Sequence, residues 1–232
     1  MHYTETDARI VTAWCHDAVG EHASVASFAR FTLELLAVGA PPKLLVASQD
    51  AGRDEIQHAQ KCFTIASRFA GKKLGPGPLD VSGVDGARDL ASITAAAFKE
   101  GCVNETLSAW LAKERGDGAR DSELRAALAN IAVDEARHAE LAWQFVAWAL
   151  QKGGDPIREA AKRAFEESRA QPITGFNPVL QGVLVDEVRA HGLLDEATAR
   201  KVIQRAYAQV ITPRTAELLG GTMMGERNSR VA

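Results

Sequence analysis

Asp54-Glu55-Ile56-Gln57-His58 and Asp134-Glu135-Ala136-Arg137-His138 stand 80 positions apart, and each is followed by alanine, so both read D-E-x-x-H-A. In a helix, a Glu and a His three residues apart share one face and can reach one metal ion. Each motif lies in a long stretch with helical apolar spacing, and the stretch before it carries a Glu of its own. Glu21-His22-Ala23-Ser24 and Glu105-Thr106-Leu107-Ser108 both read E-x-x-S, 84 positions apart. The chain therefore reads as two diverged copies of a helix pair. Chance supplies about 0.4 copies of Glu-x-x-His in a chain of this composition. These carboxylates also have apolar company. Glu105 shares its face with Phe98, Cys102, Ala109 and Ala112, and Glu135 shares one with Leu128, Ile131, Ala142 and Phe145.

Proline and glycine clusters divide the chain into these helices. The spacing predicts a first helix over about 6–38, ended by Gly39-Ala40-Pro41-Pro42, and a second over about 43–70. A long connection follows, through Gly71 to Gly86. A third helix is expected over about 87–114, then a break at Gly116-Asp117-Gly118, then a fourth helix capped by Asp121 or Ser122 and running to about Gln151. Short turns make antiparallel neighbours, and one long connection lets the second pair cross over and pack on the first. The expected fold is all-α, a four-helix bundle over residues 1–152. A helical extension over 153–232 is expected as helices 157–170, 178–191 and 195–210, broken by Pro172, Pro178 and Pro213, with a tail from Gly220. It should cover an end of the bundle or make a subunit contact.

The six groups form a consistent ligand set. Four carboxylates and two neutral imidazoles balance two divalent cations, and burying that many carboxylates without such compensation is prohibitive. Oxygen donors with a minority of nitrogen suit iron(II) or manganese. The shared positions fall most naturally to Glu55 and Glu135, with Glu21 and Glu105 terminal.

The order E, E-x-x-H, E, E-x-x-H on four successive helices resembles the ferritin-like di-iron carboxylate superfamily, over roughly residues 6–151. The resemblance implies a ferritin-like bundle with the ligands Glu21, Glu55, His58, Glu105, Glu135 and His138. Two iron ions, with manganese as the alternative at one or both sites, would then work with O2 as co-substrate. Asp134-Glu135-Ala136-Arg137-His138 also matches the D-E-x-R-H motif of the bacterial multicomponent monooxygenases. Gln57 departs from that motif in the first copy, and with the short chain this argues against membership of that group. The ligand order is also similar to that of the small aldehyde-deformylating oxygenases and the tRNA-hydroxylating di-iron enzymes. The implied activity is oxidation of an organic substrate by an oxidase or oxygenase, with Glu55 and Glu135 as catalytic carboxylates. A ferroxidase or a rubrerythrin-like peroxide scavenger is the alternative, but the eighty-odd extra residues exceed what a storage cage needs. The three scattered cysteines cannot build the electron-transfer module of a rubrerythrin.

A metal-bound imidazole usually donates its other N–H to a carboxylate. An Asp one residue before a ligating Glu is rotated about 100° round its helix and points to a neighbour. The expectation is that Asp54 orients His138 and Asp134 orients His58. Among the remaining residues, Cys62 and Cys102 read as small buried side chains, and Trp14, Trp110, Trp143 and Trp148 as core packing. Glu100 and Glu140 read as solvent-facing or substrate-channel residues. His22 points off the face of Glu21, and His16 and His191 stand alone.

Composition narrows the partners. A net charge of −3 argues against a nucleic-acid partner, and no apolar run is long enough to span a bilayer. No basic region followed by an apolar stretch opens the chain, and three cysteines make no disulfide framework, so a cytoplasmic setting is expected. The expected partners are a small-molecule substrate and an external reductant, with a homodimer as a candidate assembly.

Overall fold

The computed structural model describes residues 4–82, 84–87, 89–171 and 175–220, and they are helical with no strands. Helix α1 (Glu5–Ala37) starts at a capping box, in which Thr4 and Asp7 satisfy each other's backbone N–H groups. Gly39 at φ 65 and Pro41 turn the chain into α2 (Pro42–Ala70), which Gly71 ends in the left-handed conformation. After the long connection, Asp89 caps α3 (Leu90–Ala97) by accepting from the N–H of Ser92. The expected third helix is then interrupted. Residues Phe98–Glu105 form a π-helical segment, and α4 (Thr106–Gly118) continues from it. The break falls after Gly118, where Ala119 is extended, and not at Gly116. Asp121 caps α5 (Ser122–Gly153).

Helix α1 packs along α2, α4 and the π segment pack on α5, and α2 and α5 join the two pairs. Helices α1 and α4 approach less closely, and a seam bridged by the Asp17–Arg115 pair runs between them. The core falls into two clusters. One holds Phe28, Leu35, Ile93, Phe98, Phe145 and Val146. The other holds Ile10, Trp14, Phe63, Leu124, Leu128 and Ile131. On every long helix the predicted ligand lies between the stretches that feed these two clusters, so polar groups occupy the midplane of an otherwise apolar interior.

The extension packs on the bundle as short pieces. Helix α6 (Asp155–Ala170) covers α3 and the π segment. The single helix expected over 178–191 is instead a 3-10 turn (Pro178–Leu180) against α1 and a short α7 (Val185–Ala190), separated by Gly182 at φ 86. Helix α8 (Glu196–Ala206) lies on α4 and leads through a π turn (Tyr207–Ile211) into α9 (Thr212–Leu218). Pro213 therefore does not break the helix as expected. The π turn before it widens the helix where the proline ring would otherwise meet the carbonyl of the preceding turn. Pro172 and the tail beyond Gly220 lie outside the described residues. Among the described residues, no helix is long and apolar enough to cross a membrane.

Candidate metal centre

The local spacing of each motif sets the site. Glu55 and His58 on α2, and Glu135 and His138 on α5, are at most 3% exposed and face one another across the α2–α5 contact. Nδ1 of His58 lies 3.4 Å from Glu135, 3.7 Å from Glu21 and 3.8 Å from Glu55. Nδ1 of His138 lies 3.0 Å from Glu55, 3.3 Å from Glu135 and 3.8 Å from Glu105. All six residues named from sequence thus converge on one spot. Two groups of four can each hold an ion, Glu21, Glu55, His58 and Glu135 in one and Glu55, Glu105, Glu135 and His138 in the other. Glu55 and Glu135 belong to both.

The other ring nitrogens face away from this centre. Nε2 of His58 is 3.1 Å from Asp134 Oδ2, and Nε2 of His138 is 3.4 Å from Asp54 Oδ2. Each aspartate reaches the histidine of the opposite helix. An aspartate can only accept here, so the ring proton belongs on Nε2 and Nδ1 is left bare toward the carboxylates. Arg137 completes the arrangement by donating to Asp134 and, at 3.2 Å, to Asp54. Sequence reasoning treated Arg137 only as a motif letter. Its place one turn after Asp134 is the signal that could have identified it as a bridge.

Buried polar atoms normally find a hydrogen bond. Glu55 Oε1, His58 Nδ1, Glu135 Oε2 and His138 Nδ1 are buried and have none. They crowd together, two nitrogens with lone pairs and carboxylate oxygens that can only accept when ionised. This donor set suits divalent cations of the oxygen-preferring kind. Protons are the remaining way to relieve the crowding. Burial pushes Glu55 up to about 8, helped by the carboxylates of Glu135 and Glu21 and opposed by His138. Burial also holds the carboxyl of Glu105 well above its ordinary range, with Glu135 adding to the rise. For the imidazoles, burial works against the charge but loses to the carboxylates. Glu135 and Glu21 raise His58 to about 10, and Glu105, Glu135 and Glu55 raise His138 to about 12. Glu135 is depressed, because the neighbouring Glu105 carboxyl and the two imidazoles outweigh its own burial.

Comparison with protein-family models, curated proteins and solved structures finds no match. What the centre can do therefore rests on its own surroundings.

A cleft of about 650 Å³ opens along the α1–α4 seam and reaches Glu21, Glu55, Glu105 and Glu135. Its lining includes Trp14, Leu128 and Ile131 of the bundle core, Leu180 and Leu193 of the extension, and the Asp17–Arg115 ion pair. Ser24, Ser27, Asn104 and Ser108 also line it. Cys62 lies against this cleft, and Cys102 is wholly buried away from it. Trp14 is a wall of the cleft as well as a core residue, and its Nε1–H donates to the carbonyl of His191 at 3.1 Å. Glu100 lines the cleft and is ion-paired with Arg30, whereas Glu140 pairs with Arg214 at 2.8 Å on the far side of α5.

Proposed function

We propose that the chain is a ferritin-like four-helix bundle that binds two iron ions, or iron and manganese, and oxidises an organic substrate with O2. The observation that carries this reading is the set of buried donor atoms on Glu55, His58, Glu135 and His138 that have no hydrogen bond, with Glu55 and Glu135 among them lining a cleft large enough for an organic molecule. Glu21, Glu55, His58, Glu105, Glu135 and His138 would hold the ions, with Glu55 and Glu135 shared between them. Bound there, two such ions would supply the electrons that O2 needs.

The protein's own residues do the rest. Asp134 and Asp54 keep the ring protons on Nε2, so that both Nδ1 lone pairs face inward. Arg137 ties the two aspartates together and opposes rotation of either ring. Leu111 and Phe176, partly exposed in the lining of the cleft, give an organic molecule apolar surface to bury. Glu21 and Glu105, each about one-fifth exposed, border the cleft and so stand between the ions and whatever enters it.

An iron-oxidising or storage role needs a path for ions and no chamber. The volume of the cleft, about 650 Å³, supports the organic-substrate reading over that one. The test is metal analysis of the protein loaded with ferrous iron under argon, followed by O2 uptake and light scattering. Two ions per chain, O2 consumption and a small assembly are expected. Fewer than two ions, or a large hollow shell that accumulates ferric iron, would overturn the proposal.

A further inference from the structure

A second, much smaller opening reaches the centre beside the cleft. It passes Phe31 of α1, Ala96 and Ala97 of α3 and Leu141 of α5, and it ends on Glu105 and His138. Burial deepens along it. The Arg30–Glu100 ion pair borders it with Glu100 half exposed, Phe31 and Ala96 are partly buried, Ala97 and Leu141 are buried, and His138 is 2% exposed. The ring of Phe28 stands edge-on to His138 in its wall, 5.1 Å between centroids. The cleft borders Glu21, Glu55, Glu105 and Glu135, whereas this crevice borders Glu105 and His138. Its volume is about 40 Å³ against about 650 Å³ for the cleft. Sites for organic ligands are roughly 300–1,000 Å³, and about 10–15 Å³ already admits one water, so only a very small molecule fits. Water would need free polar partners there. The charged groups are engaged with one another: Arg30 donates to Glu100 and lies 3.7 Å from Glu34, and Glu34 accepts from the N–H of Ala87 at 3.0 Å. Between them and the two ligands the walls are mainly carbon.

We infer, on the reading that the centre reacts with O2, that this crevice is the route by which O2 reaches the His138 side, while the cleft takes the organic molecule. Small voids with apolar walls stay dry and take up apolar guests such as xenon. O2 is uncharged, apolar and small enough for the space. A larger molecule lodged in the cleft lies over Glu21, Glu55 and Glu135 and leaves the crevice open, so both reactants can be present together. Ala96 and Ala97 keep the route open, because a longer side chain at either position would occupy it.

Crystals of the full chain under xenon pressure provide the first test, which needs no variant to fold. A xenon atom bordered by Phe31, Ala97 and Leu141 is expected, and Ala96→Phe, at a partly buried position, should abolish it. The second test mixes the ferrous-loaded protein with O2 in a stopped-flow instrument. Ala96→Phe should slow the oxygen-dependent step about tenfold with two ions still bound, because a close-packed interior passes a gas only where a void is left. A crevice without xenon overturns the inference, as does a folded Ala96→Phe protein that reacts with O2 at the parent's rate. Two ions bound with no xenon in the crevice removes the route and leaves the metal centre standing. Xenon in the crevice of a protein that takes up no iron removes the metal centre and leaves the gas site.

Discussion

Asp134 on α5 reaches across to His58 on α2, with Oδ2 3.1 Å from Nε2, and Asp54 returns the contact to His138 at 3.4 Å. Each helix thus orients the imidazole that its neighbour contributes. Replacing Asp134 by Ala should weaken metal binding about 10–100-fold, the usual cost of losing such a partner. Competition with a chromophoric chelator measures this. Asp54→Ala, which breaks the longer contact, should cost less. Unchanged affinity in both variants would show that the aspartates do not orient the rings.

Removing the ions should destabilise the fold. Ions present at about 100 times their dissociation constant contribute about 2.7 kcal/mol per site. For a chain of this length that corresponds to about 5–10 °C in Tm per site. Scanning calorimetry before and after exhaustive chelation should show the drop, and Glu135→Ala should show no further drop on chelation. Identical melting with and without chelator would contradict a metal centre at the midplane.

The Asp17–Arg115 pair gives a pH dependence. Burial raises the carboxyl of Asp17, but the Arg115 charge outweighs it and holds the group below its ordinary value. A depressed carboxylate stabilises the fold above its unfolded value, about 3.9, and that stability is lost as pH falls through the lower folded value. Asp17→Asn should therefore cost about 1–2 kcal/mol at pH 7, for a pair about one-fifth exposed. The difference from the parent should shrink as pH falls below the ordinary carboxylate range and the Asp17 carboxyl takes up its proton. Denaturant melts across pH 2–7 provide the check, and a difference that persists at pH 2 would rule out the ion pair as its cause.

Gly101, within the π segment, is where two helices come closest. A Cβ there would lie 2.2 Å from the Cβ of Ala142 on α5. Gly101→Ala should cost about 1–3 kcal/mol by forcing the backbones apart. Ala142→Gly in the same chain should recover part of that loss. Urea melts of the single and double variants measure both, and a Gly101→Ala protein as stable as its parent would show that this approach is not tight.

The long helices and the convergence of six side chains were legible because both follow from local periodicity. A 3.6-residue stripe specifies a helix, and i, i+3 spacing puts Glu55 with His58 and Glu135 with His138 whatever lies elsewhere. The reach of Asp134 to His58 was legible too, since a 100° step from a buried ligand leaves little but the neighbouring helix. The π segment at Phe98–Glu105 was not legible. It depends on how α3 and α4 meet α5, and Gly101 is its only trace in the sequence. Pro213 misled for the same reason, since a neighbouring π turn absorbs it. The cleft was not foreseen either. Leu180 and Leu193 lie in pieces too short to show a stripe, and Arg115 joins Asp17 from 98 positions away.

The brace of Arg137 across Asp54 and Asp134 covers the α2–α5 side of the centre, and the cleft along the α1–α4 seam reaches it from another side. If the proposed function holds, ions and an organic guest would share that cleft, and a molecule lodged in it would stand in the path of arriving ions. A protein first saturated with a tight-fitting guest should consequently charge with metal slowly, whereas one charged beforehand should admit the guest at once.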